Sequence, residues 1–304
     1  MGKKKKSESG EHRNFVPIRG ALDQAFSELD RFHEEGKAQI DLYSGYEFLN
    51  QLFVKLERPQ FSIISVPAGI GGSSYLAGSI ITELAIRFKR TIGILSMQIS
   101  SPHFSNMMLN IVSNLDSYLI RTGRLPSEQW PELSKAAGEI ANTNIYIDGT
   151  RSHSIKSFRK CARELMKASK PDLLVIDNLQ FISRKRMQGR QALEYQQICH
   201  SLREVSEELD VSILLMSEFS NEYDADDFRT ASDCTKLTSL NEYTRIADAE
   251  LCLIPGESVK DGRLFNLHLY ENCEGLTGTI ELLRSKSGGG FKDRTQLPNM
   301  LTDS

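Results

Sequence analysis

Apolar residues along this chain fall into two alternating spacings. Short, nearly continuous apolar runs at Phe61–Val66 (FSIISV), Thr91–Met97 (TIGILSM), Leu173–Ile176 (LLVI) and Val211–Met216 (VSILLM) predict strands buried on both faces. Between them the apolar positions spread to helical spacing. Ser74–Phe88 carries Leu76, Ile80, Leu84 and Phe88 on one face, and a mostly helical stretch continues to about Ala141. Ile145–Ile147 reads as a short strand, and Ile155–Ala168 and Gln191–Leu209 as helices. The end is rich in strands: Ala249–Ile254, Leu264–Tyr270 and Thr279–Leu283, joined by short turns. Repeated strand–helix alternation predicts an α/β domain with a mostly parallel central sheet covered on both faces, ending in an antiparallel edge.

Ahead of this body the pattern predicts a separate amphipathic helix, Ile18–Glu35, with Leu22, Ala25, Phe26, Leu29 and Phe32 at helical spacing and Gly36 placed to end it. One helix cannot bury such a stripe alone, so Leu22, Phe26, Leu29 and Phe32 are expected to dock on the chain's own body or on a neighbouring subunit. The expected organisation is a disordered basic tail (1–17), a linker or docking helix (18–36), one domain (40–290) and a flexible tail (291–304).

Composition narrows the setting. A formal net charge of −3 confines any nucleic-acid contact to local basic patches. The four lysines near the start have no apolar segment behind them and read as a solvated tail, not a secretory signal. No apolar run is long enough to span a bilayer. The five cysteines are scattered without metal-ligand spacing and read as reduced thiols of a cytoplasmic protein. His103, His153, His200 and His268 show no ligand spacing and are assigned no role, and Trp130 is expected to be packed.

Two segments carry chemistry. Val66–Ser74 (VPAGIGGSS) lies between a strand and a helix, and its Gly69, Gly71, Gly72, Ser73 and Ser74 would let backbone N–H groups and a helix N-terminus face a phosphate. A working P-loop also needs Gly-Lys-Ser/Thr; here Gly72 stands in the lysine position and Ser73 in that of the Mg²⁺ ligand. The second segment, Leu173–Gln180 (LLVIDNLQ), sets Asp177 at the tip of a buried strand, where it could hold Mg²⁺ with Ser73. Arg184, Lys185, Arg186 and Arg190 follow as a basic cluster, a candidate contact for single-stranded DNA.

These segments resemble the C-terminal, RecA-like motor domain of DnaB-family replicative helicases, from about Gly20 to the Gly275–Leu283 stretch. Arg121-Thr122-Gly123-Arg124-Leu125 with Trp130, Ile145-Tyr146-Ile147-Asp148 before a helix, and Gly275-Leu276-Thr277-Gly278-Thr279 each resemble a family segment in the family's order. The resemblance implies a RecA-like, P-loop-type core and, at 18–36, a helix that packs on an adjacent subunit. It also implies that the family's catalytic groups are replaced. Its P-loop lysine falls on Gly72, its catalytic glutamate on Gln98 and its sensor glutamine on Glu218. The two cations that reach a neighbour's γ-phosphate fall on Glu271 and Cys273. A glutamine cannot accept a proton as a general base, and an acid in place of a cation opposes phosphate charge. The expectation is a DnaB-like paralogue with defective catalysis, requiring no cofactor and binding ATP–Mg²⁺ at most weakly. It would act in DNA replication by binding a replicative helicase or itself. The alternatives are a divergent ATP-dependent helicase or translocase and a passive single-stranded DNA-binding module.

Overall fold

The computed structural model describes residues 60–67, 72–151, 153–183, 191–219, 246–272, 278–287 and 289–294, together with 18–20, 22, 23, 26, 27 and 30. Contacts divide the chain into two units, Met1–Asp41 and Leu42–Ser304. In the first unit every described residue is helical, and Ile18, Leu22 and Phe26 are 75%, 50% and 62% exposed. Leu29 and Phe32 lie outside the described residues.

The second unit opens with β1 (Phe61–Pro67), α1 (Ser73–Ile86), β2 (Thr91–Ser96), α2 (Ser101–Ser113), α3 (Ser117–Thr122) and α4 (Trp130–Ala141). It continues through β3 (Asn144–Asp148), β4 (His153–Ser154), α5 (Ile155–Ser169), β5 (Leu173–Asp177), β6 (Ile182–Ser183), α6 (Gln191–Leu209) and β7 (Ser212–Phe219). The last strands are β8 (Ala249–Val259), β9 (Gly262–Asn272), β10 (Gly278–Ser285) and β11 (Phe291–Asp293). Nine strands form one sheet in the order β11-β10-β9-β8-β1-β7-β5-β2-β3. From β8 to β3 all neighbours are parallel, while β8 to β11 pair antiparallel, as the sequence pattern predicts.

Period-two alternation sorts the strand residues onto two cores. Ile64 and Val66, Leu173 and Val175, Leu214 and Met216 face α1 and α2, whose Leu76, Ile80, Leu84, Phe104 and Met108 close one face. Phe61 and Ile63, Leu174 and Ile176, Ile213 and Leu215 face the other way, onto Phe158 of α5 and Ile198, Leu202 and Val205 of α6. Every residue of β5 is buried, which is why its sequence reads as one apolar run ending in an acid. Gly93 lets α5 lie close on the sheet: a Cβ there would come within 2.4 Å of Leu165 Cδ2 and 2.8 Å of Leu174 Cδ2. No helix among the described residues is long and apolar enough to cross a membrane.

Two expectations change, and one pairing is added that the sequence pattern does not predict. Residues 291–293 are not tail but the edge strand β11. Phe291 is 4% exposed, stacks edge-on against Phe265 with centroids 5.1 Å apart, and donates its N–H to Ser79 Oγ. Three residues with one buried aromatic leave too little periodicity to read as a strand. The pairing of β4 with β6, two residues each, was invisible for the same reason. Trp130 begins α4 and is 49% exposed, because only Ala136 of that helix is buried.

Candidate functional site

The tips of β1, β7, β5 and β2 converge on the N-terminus of α1. Gly72 is the N-cap of α1, and a Cβ on it would meet Leu253 Cδ2 at 3.2 Å and Phe291 Cζ at 3.7 Å. Ser73 and Ser74 follow as the first residues of α1, the first beside Glu218 and the second beside Asp177.

Ser74 Oγ donates to Asp177 Oδ2 at 2.6 Å, with Gln98 Oε1 a second, weaker acceptor at 3.3 Å. Ser73 Oγ donates to Glu218 Oε1 at 3.0 Å. Gln180 fixes Glu218 from below: its amide oxygen accepts the Glu218 N–H at 3.0 Å, and its amide nitrogen donates to the Glu218 carbonyl. Asn178, which follows Asp177, reaches Gln98 Oε1 with its amide at 3.5 Å. The backbone of Asp177 accepts the N–H of Met97, tying β5 to the turn after β2.

Asp177 is fully buried. Burial pushes its carboxyl up to about 6; the hydrogen bond from Ser74 works against this and the Glu218 charge adds to it. Its Oδ1 has no hydrogen-bond partner among the described residues. A buried carboxylate oxygen left open beside a serine hydroxyl is a pair of hard oxygen donors of the kind a Mg²⁺ ion takes. Above these groups opens a cleft of about 400 Å³, bordered by Ser73, Ser74, Gln98, His103, Arg121 and Glu218. Among its described lining residues Arg121 is the one side chain with a permanent positive charge. The donors for a metal ion are thus present, but the cationic lining expected around a phosphate tail is thin, and Glu218 opposes it.

The structure therefore brings Ser73, Ser74, Gln98 and Glu218 together at the cleft, with Asp177 buried beneath Ser74. Glu271 lies near the end of β9, its backbone in register with Glu250 of β8. Gly69, Gly71, Cys273, Arg184, Lys185, Arg186 and Arg190 lie outside the described residues. The Gln180 clamp on Glu218 escaped the sequence reading, although Gln180 closes the very motif that carries Asp177.

The model of the DnaB-like helicase C-terminal domain family matches residues 41–259. The replicative DNA helicase DnaB of Geobacillus stearothermophilus is 27% identical over 208 residues, covering 68% of this chain and 45% of that protein. The chain spans about half the length of the curated relatives it matches. A solved ATPase domain superposes with a TM-score of 0.78 at 20% identity, covering 92% of this chain and 99% of that one. A DnaB-like replicative helicase, described with its interactions with primase, gives 0.71 at 19% identity, covering 91% and 67%. Both share the RecA-like α/β fold seen here. With most of its length inside the family model, this chain belongs to the DnaB-like helicase C-terminal domain family.

Proposed function

We propose that this chain is a DnaB-like domain with defective ATP hydrolysis, acting in DNA replication by binding a replicative helicase subunit or another copy of itself. In this reading it regulates ring assembly, loading or activity. The observation that carries it is the pairing of Ser73 with Glu218 and of Ser74 with Asp177 in the cleft, where phosphate transfer needs cations and a general base. Gln98 adds to this, since an amide can orient water but not take its proton. The exposed Ile18, Leu22 and Phe26, four residues apart on one helical stripe, supply a face of the kind that docks on a partner.

The test is ATP turnover by the purified chain with and without single-stranded DNA, alongside co-purification with the replicative helicase of the same cell. The expected result is no turnover above background and an association weakened by Phe26→Asp or Leu29→Asp. Robust protein that neither meets the helicase nor self-associates would overturn the binding role. One observation favours a second reading, a divergent ATPase: Asp177 keeps its serine partner and an open oxygen. Turnover abolished by Asp177→Ala would establish that reading instead. Salt-dependent binding of single-stranded DNA, lost when Arg184, Lys185, Arg186 and Arg190 are neutralised, would add a nucleic-acid ligand to either.

A further inference from the structure

Away from the cleft, at the edge of the sheet, β3 ends in Asp148, β4 carries His153, and the second turn of α5 carries Cys161. A carboxylate oxygen, an imidazole nitrogen and the thiol sulfur of these residues all lie within 4.8 Å of one another. His153 is 4% exposed. Its Nε2 approaches Asp148 Oδ2 to 3.1 Å without hydrogen-bond geometry, and this buried nitrogen has no hydrogen-bond partner among the described residues. Its Nδ1 lies 3.4 Å from Ser157 Oγ. That contact suits a proton on Nδ1 and a lone pair on Nε2, the form in which a histidine binds a metal while a neighbour holds its other nitrogen.

An imidazole nitrogen and a carboxylate oxygen this close need a proton or a metal ion between them. A proton on Nε2 would not point along the line to Asp148. An ion set off that line, toward Cys161, would use both lone pairs and the sulfur at once. Asp148 is already oriented for this, because its Oδ1 accepts the N–H of Thr150 at 2.9 Å and leaves Oδ2 toward His153. Asp148 and Cys161 are each half-buried, which leaves the fourth position of a tetrahedral ion open to water.

We propose that Asp148, His153 and Cys161 form a binding site for one divalent transition-metal ion, with zinc the best match to a mixed oxygen, nitrogen and sulfur donor set. On binding, the Cys161 S–H bond breaks, its proton leaves to solvent, and a sulfur–metal bond forms. The ion ties the tip of β3, the strand β4 and the helix α5 together. β4 in turn pairs with β6, and the basic residues from Arg184 onward follow β6 directly in sequence. No residue of this site lines the cleft, so it stands or falls independently of the proposed function.

Cobalt(II) titration of the metal-free full chain tests the site, since a thiolate–cobalt bond gives a charge-transfer band and tetrahedral geometry gives intense visible bands. One equivalent should saturate both signals, and zinc should displace the cobalt. Cys161→Ser and His153→Ala should abolish them, and Cys234→Ser should leave them intact. Ser157→Ala, which removes only the neighbour of Nδ1, should weaken binding by ~10-fold. Circular dichroism of each metal-free variant separates loss of the site from loss of the fold, and Cys161→Ser is the variant that changes least. Absence of a one-equivalent signal in the parent chain, or its survival in folded Cys161→Ser, would overturn the proposal.

Discussion

Asp177 and Asp148 are the same residue at the same kind of place, the end of a parallel strand, with only β2 between their strands. Their surroundings drive them in opposite directions. At the centre, burial by both helical layers pushes Asp177 up to about 6, and its Oδ1 goes without a partner. At the edge, burial is again the largest single influence and opposes the charge of Asp148. The hydrogen bonds of Thr150, with help from His153, outweigh it and hold that carboxyl below the usual aspartate range. An acid at a strand tip is therefore no function in itself. The centre stores a cost that a bound cation would relieve, whereas the edge has an acid already stabilised and pre-aimed.

The sharpest way to break this contrast is to remove the charge at each place. Asp177→Asn should stabilise the protein. The folded carboxyl holds its proton more tightly than the unfolded one, so wild-type stability falls as pH rises from about 4 to about 6, and the cost is complete above that. Urea unfolding at pH 8 should show the variant ahead by ~3 kcal/mol, a gain that shrinks as pH falls through 6. A destabilised Asp177→Asn at pH 8 would show that Ser74 and the turn after β2 depend on the charge itself. Next in size is Gly93→Ala, which tests whether the helix over the edge is packed as tightly as those over the centre. The added methyl would strike Leu165 and Leu174, and a loss of about 1–3 kcal/mol in thermal or urea unfolding is expected. Indifference would mean that α5 rides loosely on β2.

The smallest effect belongs to Asp148→Asn, which should destabilise by about 1 kcal/mol at neutral pH through weakened contacts with Thr150 and His153. Here the sign is reversed. The folded carboxyl ionises more readily than the unfolded one, so its contribution is present above the usual aspartate value and is lost as pH falls through the lowered folded one. Comparing both Asp→Asn variants across pH 5–8 would separate centre from edge by sign alone.

Much of the centre was legible in the chain because the same forces write both. Strands buried on two faces must be apolar throughout, and β1, β2, β5 and β7 announce themselves that way. The cleft was half legible. Asp177, Gln98 and Glu218 sit at predictable strand ends, but which of the two serines meets which acid follows from how α1 starts, and only the folded chain pairs Ser73 with Glu218 and Ser74 with Asp177. The edge was not legible. Asp148, His153 and Cys161 lie on three different elements, brought together by a turn and a two-residue strand too short to leave a period. Fixed-spacing motifs find ligands that share one loop or helix, and this cluster shares neither.

One feature of the sheet bears on how the chain is made. Among the described strands β1 is the first to be synthesised, and its neighbours are β7, where Phe61 meets Ile213, and β8, where Ser62 meets Ala249. At about 5–20 residues per second the ribosome would need roughly 10–30 s to move from Phe61 to Ile213. Throughout that interval β1 has neither of its partners, while β2, β3 and β5 can pair among themselves as soon as they emerge. The nascent chain thus carries an apolar strand in waiting. Slower or interrupted translation between β1 and β7 should raise aggregation of this protein without changing the stability of the molecules that finish folding.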